Sequence, residues 1–203
     1  MTSPDSTRDR IVAAAQAEFA RHGIAGARVD RIAKAARTSK ERVYAHFRSK
    51  EDLYGFIASQ ELAAAAEAAH LDPADLPSYA AQLFDYFTAR PDRYRFIAWG
   101  RLELAADPRD GAPGPALYRD ALLGKIEKLR RAQRAGDLDP TWDPVDIMAL
   151  VVQITHTWLD QTALAAVAPR TAADPAPSAR RAAVIRAVTA LFPPARPAST
   201  HSA

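Results

Sequence analysis

Apolar residues recur at three- and four-residue intervals along almost the whole chain, and nowhere do they alternate with polar ones for the length of a strand. Ile11, Ala15 and Phe19 repeat at i, i+4 and i+8, and Gly23 follows where a helix C-terminal glycine belongs. Val29, Ile32, Ala33 and Ala36 give a short second apolar face, and Val43 with Phe47 a shorter third. Ser49, with Asp52 three residues on, opens a longer helix that carries Leu53, Phe56 and Ile57 inward and runs to about His70. Beyond Asp72 the prolines punctuate. Pro77, Pro91, Pro115 and Pro144 each precede an apolar-periodic segment, as proline in a first helical turn should. Asp143-Pro144-Val145-Asp146 joins a capping Asp, a Pro at the first position and a second Asp in the first turn. Helices are predicted over 77–89, 91–106, 115–136, 144–168 and 178–192, with loops over 107–115 and 169–177. The fold class is all-α, with about nine helices.

Composition narrows the function classes. The chain has no cysteine, which removes disulfide scaffolds, thiolate metal sites and cysteine nucleophiles together. Apolar runs such as 147–152 reach about six residues, against the roughly 18 that a membrane span needs. The first five residues lack a basic-then-apolar signal pattern, so a cytoplasmic protein with no membrane partner is expected. The net charge of +3 divides unevenly. Residues 1–50 hold 11 Lys/Arg against 5 Asp/Glu, a net of +6, and the remaining 16 and 19 give −3. A small basic unit is joined to a larger, mildly acidic one. Nucleic acid is the first partner such a unit points to, with a solvated basic face as the bland alternative.

Enzyme readings find little support. The five histidines are scattered, with no pair at metal-ligand spacing on one helical face. The eight glycines are dispersed, none cradles a phosphate after a strand, and Gly-x-Ser-x-Gly is absent. No catalytic residue, metal or cofactor is expected. A helical enzyme with an undetected active site stays as the remote alternative.

The organised signal lies between Arg28 and Lys50. A short helix over 29–36 is followed by Arg37-Thr38-Ser39 and a second short helix over 40–47, the layout of a helix-turn-helix. Thr38-Ser39-Lys40-Glu41 reads as a capping box, with Thr38 bonding forward and Glu41 reaching back; Ser39 is an alternative cap one residue on. With Val43 and Phe47 turned inward, Thr38, Glu41, Tyr44, Ala45 and Arg48 turn outward, flanked by Lys40 and Arg42. Arg and Lys donate to guanine edges or phosphates, a Tyr hydroxyl donates to phosphate, and Ala45 suits a thymine methyl. A capped helix with a solvated face produces the same pattern.

Arg10-Ile11, Ala14-Ala15, Phe19, Gly23, Ile32-Ala33, Ala36, Ser39, Tyr44, His46-Phe47 and Ser49-Lys50-Glu51 resemble the signature of the TetR (tetracycline-repressor) family over about residues 8–55. The resemblance implies a one-component transcriptional regulator. Its helices 1–3 bind a double-stranded DNA operator, helix 4 links them to a domain that receives a small effector, and the last two helices pair in a homodimer. On that basis residues 1–48 form the DNA-binding domain, 49–192 the regulatory and dimerisation domain, and 193–203 a disordered tail. Lys40, Arg42, Tyr44 and His46 fall in the recognition helix, and Lys50 at a phosphate contact. With Arg28, Arg37, Thr38 and Ser39 they make up the DNA-binding set. Two positions depart from the pattern. Arg28 stands where the family has a capping Thr, so helix 2 needs another cap. Arg37 stands where the turn has Gly; at positive φ a side chain there costs about 1 kcal/mol, which a reach to the DNA backbone would offset.

The larger half resembles the family only in its helical layout. Tyr86, Phe96, Trp99, Tyr118, His156 and Trp158 are the candidates for lining an effector pocket, and aromatics at this spacing form core equally well. Gly100 would permit close approach of a bulky ligand, and Glu103 has Arg101 and Arg119 near it for pairing. Ile147, Leu150, Val151, Ile154 and Trp158 form one apolar stripe, and Val184, Val188 and Leu191 another, which suits a bundle seam or a monomeric core. The resemblance favours a repressor released by a small apolar or aromatic effector. Control by a protein partner, or constitutive binding with a filled interior, is the alternative.

Overall fold

The computed structural model describes residues 6–104 and 113–193, the side chains at 104 and 113–118 excepted. Among the described residues there are ten helices and no strand. They are α1 Thr7–Gly26, α2 Val29–Ala35, α3 Lys40–His46, α4 Lys50–Ala68, α5 Leu76–Thr88, α6 Pro91–Leu104, α7 Pro113–Ala135, α8 Pro144–Asp160, α9 Thr162–Thr171 and α10 Pro177–Leu191. The helix expected over 144–168 is two, because Gln161 leaves the helical region at φ −86°, ψ 61°. No glycine or proline marks that break, so periodicity runs the two together. Pro169 lies inside α9, near its end, where the missing N–H removes a single ladder bond. The loop expected over 107–115 and the tail over 193–203 lie largely outside the described residues.

The chain divides into two compact units, Met1–Ala64 with Arg90–Asp120, and Ala65–Ala89 with Ala121–Ala203. In the first, α1 to α3 and the start of α4 fold together with α6. Ile11, Ala15 and Phe19 are fully buried on the face that the spacing indicated. Phe19 meets the Tyr54 ring edge-on at 5.5 Å, and Tyr54 stacks on Phe96 at 4.5 Å. A side chain so buried contributes about 1.5–3 kcal/mol by leaving water. The Tyr54 hydroxyl donates to the Phe96 carbonyl at 3.2 Å. A Cβ on Gly100 would stand 1.9 Å from that hydroxyl, so the bulky group this glycine admits is Tyr54. Glu61, buried among these helices, accepts from Gln16 Nε2 at 2.9 Å and lies 3.2 Å from Arg93 Nη1.

In the second unit α5 packs on α8 and α10. Leu76, Tyr79, Leu83 and Phe84 of α5 are buried, as are Ile147, Met148 and Val151 of α8 and Val184 and Val188 of α10. Asp75 and Asp143 cap α5 and α8, accepting from the N–H of Ser78 at 3.0 Å and of Val145 at 2.7 Å. Arg181 grips Asp85 with Nε 2.9 Å from both carboxylate oxygens, tying α10 to α5. Ile147, Val151, Val184 and Val188 therefore belong to the core of the chain itself, while Leu150, Ile154 and Trp158 of the same stripe stay half-buried.

Candidate nucleic-acid interface

The interface is built by closing two helix ends against each other. Ile32, Ala33, Ala36, Val43 and Phe47 are buried and draw α2 and α3 together. The Arg8 guanidinium lies over the Phe56 ring at 4.2 Å and the Phe47 ring at 5.6 Å, and Arg10 Nε donates to the Ala36 carbonyl at 3.2 Å. Helix α2 ends in a Schellman turn: the Thr38 N–H donates to Ala33 O at 3.0 Å and the Arg37 N–H to Lys34 O at 3.2 Å. That turn needs a left-handed residue after the cap, and Arg37 supplies it at φ 53°, the one non-glycine residue with positive φ among those described.

Because Thr38 closes α2, it does not cap α3. Ser39 does, its hydroxyl accepting from the Arg42 N–H at 3.3 Å, and of the two caps the sequence offered the second is correct. Glu41 is thereby the second helical residue. Its own N–H, first, and the Ser39 hydroxyl, second, hold its carboxyl below the usual carboxylate range.

Arg28 begins α2 without a side-chain cap. Its N–H donates instead to Glu18 Oε1 at 3.0 Å, and Arg31 Nε donates to the same oxygen at 2.6 Å. Partial burial pushes the Glu18 carboxyl up, but the bonds from Arg31 and the Arg28 N–H outweigh it and lower its pKa. Before that, Gly23 ends the main run of α1 at φ 72°, where a Cβ would lie 2.2 Å from Glu103 Oε1 and 3.0 Å from Trp99. Glu103 does not serve Arg101 or Arg119 here; its Oε2 accepts from the Ala25 N–H at 2.7 Å. Lys50 holds the other side of this corner, donating from Nζ to Ala25 O at 3.2 Å and Ala27 O at 3.5 Å. Helices α4 and α6 thus fix the corner from which α2 departs.

The residues expected to meet DNA fall on this scaffold. Arg28, Arg37, Ser39, Lys40, Arg42, Tyr44 and His46 are exposed, and Thr38 and Lys50 half-buried. Val43 and Phe47 turn inward as expected. Lys40 Nζ lies 3.2 Å from Asp30 Oδ1, both exposed, a pair worth at most about 1 kcal/mol. Sequence reasoning missed Arg8, Glu18 and Asp30, whose roles depend on contacts between helices that no local pattern announces.

The effector-pocket candidates divide between the units. Phe96 is fully buried on Tyr54, and Trp99 borders Gly23, both in the first unit. In the second, Tyr86 and His156 are buried and each meets the Phe87 ring edge-on, at 5.0 and 5.2 Å between ring centres, and Trp158 carries the Arg180 guanidinium at 4.8 Å. The Tyr118 side chain lies outside the described residues. A surface cleft of about 360 Å³ in the second unit is lined by Asp72, Lys128, Arg131 and Asp137 among others, and by none of the six.

Residues 11–55 match the family described as "Bacterial regulatory proteins, tetR family", and residues 75–189 the "Tetracyclin repressor-like, C-terminal domain". The chain is 33% identical over 153 residues to the HTH-type transcriptional repressor SCO4008 of Streptomyces coelicolor, covering 75% of this chain and 78% of that protein. It is 29% identical over 141 residues to the HTH-type transcriptional repressor NicS of Pseudomonas putida, covering 66% of each. The solved structure of SCO4942 from Streptomyces coelicolor is 61% identical, with a TM-score of 0.82 over 93% of this chain and 99% of that one. The two family matches meet the helix-turn-helix and the helical C-terminal part in the order they occupy here, and the chain belongs to the TetR family of DNA-binding transcriptional regulators.

Proposed function

We propose that the protein is a repressor that binds a near-palindromic operator as a homodimer and is released by a small apolar or aromatic effector. The observation that carries the reading is the exposed face of α3, where Lys40, Arg42, Tyr44 and His46 stand clear of a buried Val43. In this reading residues 1–48 bind DNA, and 49–192 receive the effector and dimerise. Arg42 enters the groove; Lys40, Tyr44, His46, Thr38 and Ser39 meet phosphates and base edges; Arg28, Arg37 and Lys50 meet phosphates alone. Lys50 spends two of its three N–H donors on Ala25 and Ala27, which leaves one for DNA. The protein acts in the cytoplasm, and no helix among the described residues is long and apolar enough to cross a membrane.

Dimerisation uses α8 and α10. Support comes from the apolar side chains there that the chain leaves partly open: Leu150, Val152, Ile154, Trp158 and Ile185 half-buried, Val145 and Leu191 exposed. Two-fold symmetry then presents the recognition helices to successive major grooves about 34 Å apart. An effector that favours another spacing lowers operator affinity, and DNA weakens the effector by the same factor. Tyr86, His156 and Trp158 are its contacts in the second unit. The test is thermal melting against small apolar and aromatic compounds, then operator titration with each compound that stabilises. Compounds that raise the melting temperature are expected to weaken operator binding. A library that never shifts melting, or shifts it without touching operator affinity, refutes effector release.

A further inference from the structure

We propose that Glu41 is a specificity-determining residue whose carboxylate accepts a hydrogen bond from the N4 amine of one cytosine in each operator half-site. The inference rests on the reading of α3 as a recognition helix and adds which base one of its residues selects.

The geometry of α3 puts Glu41 at the groove floor. Val43 is buried and sets the inward direction. At about 100° per residue, positions two before and two after it lie about 160° round the helix, the farthest any side chain can turn from the core. Those positions are Glu41 and Ala45, both exposed. Arg42 and Tyr44 stand about 100° to either side of Val43, on the flanks of that face. Ala45 is small, one turn on from Glu41 on the same face, and lets the helix axis come close to the bases beside it.

A carboxylate on this face needs a reason. Every phosphate repels it, and carrying it into the groove without a donor leaves its lost hydration uncompensated. The other exposed acid of the helix pair, Asp30, is matched by Lys40 at 3.2 Å. Its own N–H at the helix start, first, and the Ser39 hydroxyl, second, hold the Glu41 carboxyl below the usual carboxylate range, so it stays ionised on this exposed face. Two oxygens offer about four acceptor sites, so acceptor capacity remains.

The four base edges then sort themselves. A carboxylate only accepts. Guanine shows it two acceptors, O6 and N7, and thymine shows O4 beside a methyl group. Adenine offers a donor at N6 with the N7 acceptor next to it, facing the second carboxylate oxygen. Cytosine offers its N4 amine with no acceptor beside it on the same base. Cytosine is therefore the base that Glu41 admits, and the others are rejected by like partial charges.

The test is selected-DNA binding with the full-length protein and two variants, Glu41→Gln and Glu41→Ala, each checked for unchanged folding by circular dichroism. Glutamine keeps the length and the acceptor at the helix start but adds a donor, so it accepts bases that the carboxylate repels. The wild-type protein is expected to require C·G at one symmetric position in each half-site, losing about 5- to 150-fold in affinity when that pair becomes T·A. Both variants are expected to relax at that position while the rest of the site stays the same. A residue that only caps the helix would instead lower affinity evenly at all positions. A near-palindrome read identically by the wild type and both variants, or relaxed evenly, overturns the role of Glu41 alone. Failure of the wild type to select any near-palindrome overturns the proposed function beneath it.

Discussion

Replacing Arg37 by glycine separates the two demands that the helix-turn-helix places on one residue. Arg37 holds φ 53° to close the Schellman turn after α2. A side chain in that conformation costs about 1–2 kcal/mol that glycine does not incur. Glycine also loses about 0.4–1 kcal/mol more chain entropy on folding, which offsets part of the gain. The net expectation for Arg37→Gly is a stabilisation of up to about 1.6 kcal/mol, or up to roughly 6 °C in melting temperature for a chain of this size. Operator binding moves the other way. If each Arg37 neutralises one phosphate, the slope of log affinity against log salt becomes shallower by about 0.9 per protomer, about 1.8 for a dimer. Thermal melting and a salt titration of operator binding measure both. A lower melting temperature refutes the strain argument. Higher stability with equal or tighter binding and an unchanged slope refutes the reach to the backbone.

Lys50→Ala is expected to weaken binding to all DNA sequences alike, flatten the salt slope by about one unit per protomer and cost about 1 kcal/mol as the carbonyls of Ala25 and Ala27 lose their donor; an unchanged slope rejects the phosphate contact. Glu103→Ala removes the acceptor for the Ala25 N–H and is expected to destabilise by about 1–3 kcal/mol in denaturant melts, with Glu103→Gln retaining most of that stability; equal losses in both would mean that the bond is immaterial. Gly100→Ala sets a methyl group against the Tyr54 hydroxyl and is expected to cost about 1–3 kcal/mol; a neutral effect would mean that the ring moves aside freely. Glu18 has a depressed pKa in the folded state, so its contribution is complete above the unfolded value of 4.5 and fades as pH falls through the lower folded value. The stability gap between wild type and Glu18→Gln should therefore be constant near neutrality and close below about pH 4.5, and a gap that widens on acidification contradicts the sign.

Local signals carried far in this chain. Gly23, Ser49, Pro77 and Pro144 marked helix ends because capping and backbone conformation are decided within a turn, and each sits where it was expected. The family signature over 8–55 then supplied the functional class, and Arg37 was legible as a strained position because it stands where the family's turn has Gly. What stayed hidden depends on partners distant in sequence. Glu103 reaches across 78 residues to Ala25, and Gly100 accommodates Tyr54 rather than a ligand. The choice of Ser39 over Thr38 as cap followed from α2, because the Thr38 N–H is committed to Ala33. The break at Gln161 has no glycine, proline or capping side chain to announce it.

In the proposed function, α3 reads DNA as one of a two-fold related pair. Selected-DNA binding by the purified protein, followed by footprinting on the region upstream of its own gene, tests it most directly. A near-palindrome is expected whose half-site centres lie about one helical turn apart, or a multiple of it, with loss of that selection when Lys40, Arg42 and Tyr44 are replaced together by alanine. Recovery of no preferred sequence, or the same site selected by the triple variant, would contradict it.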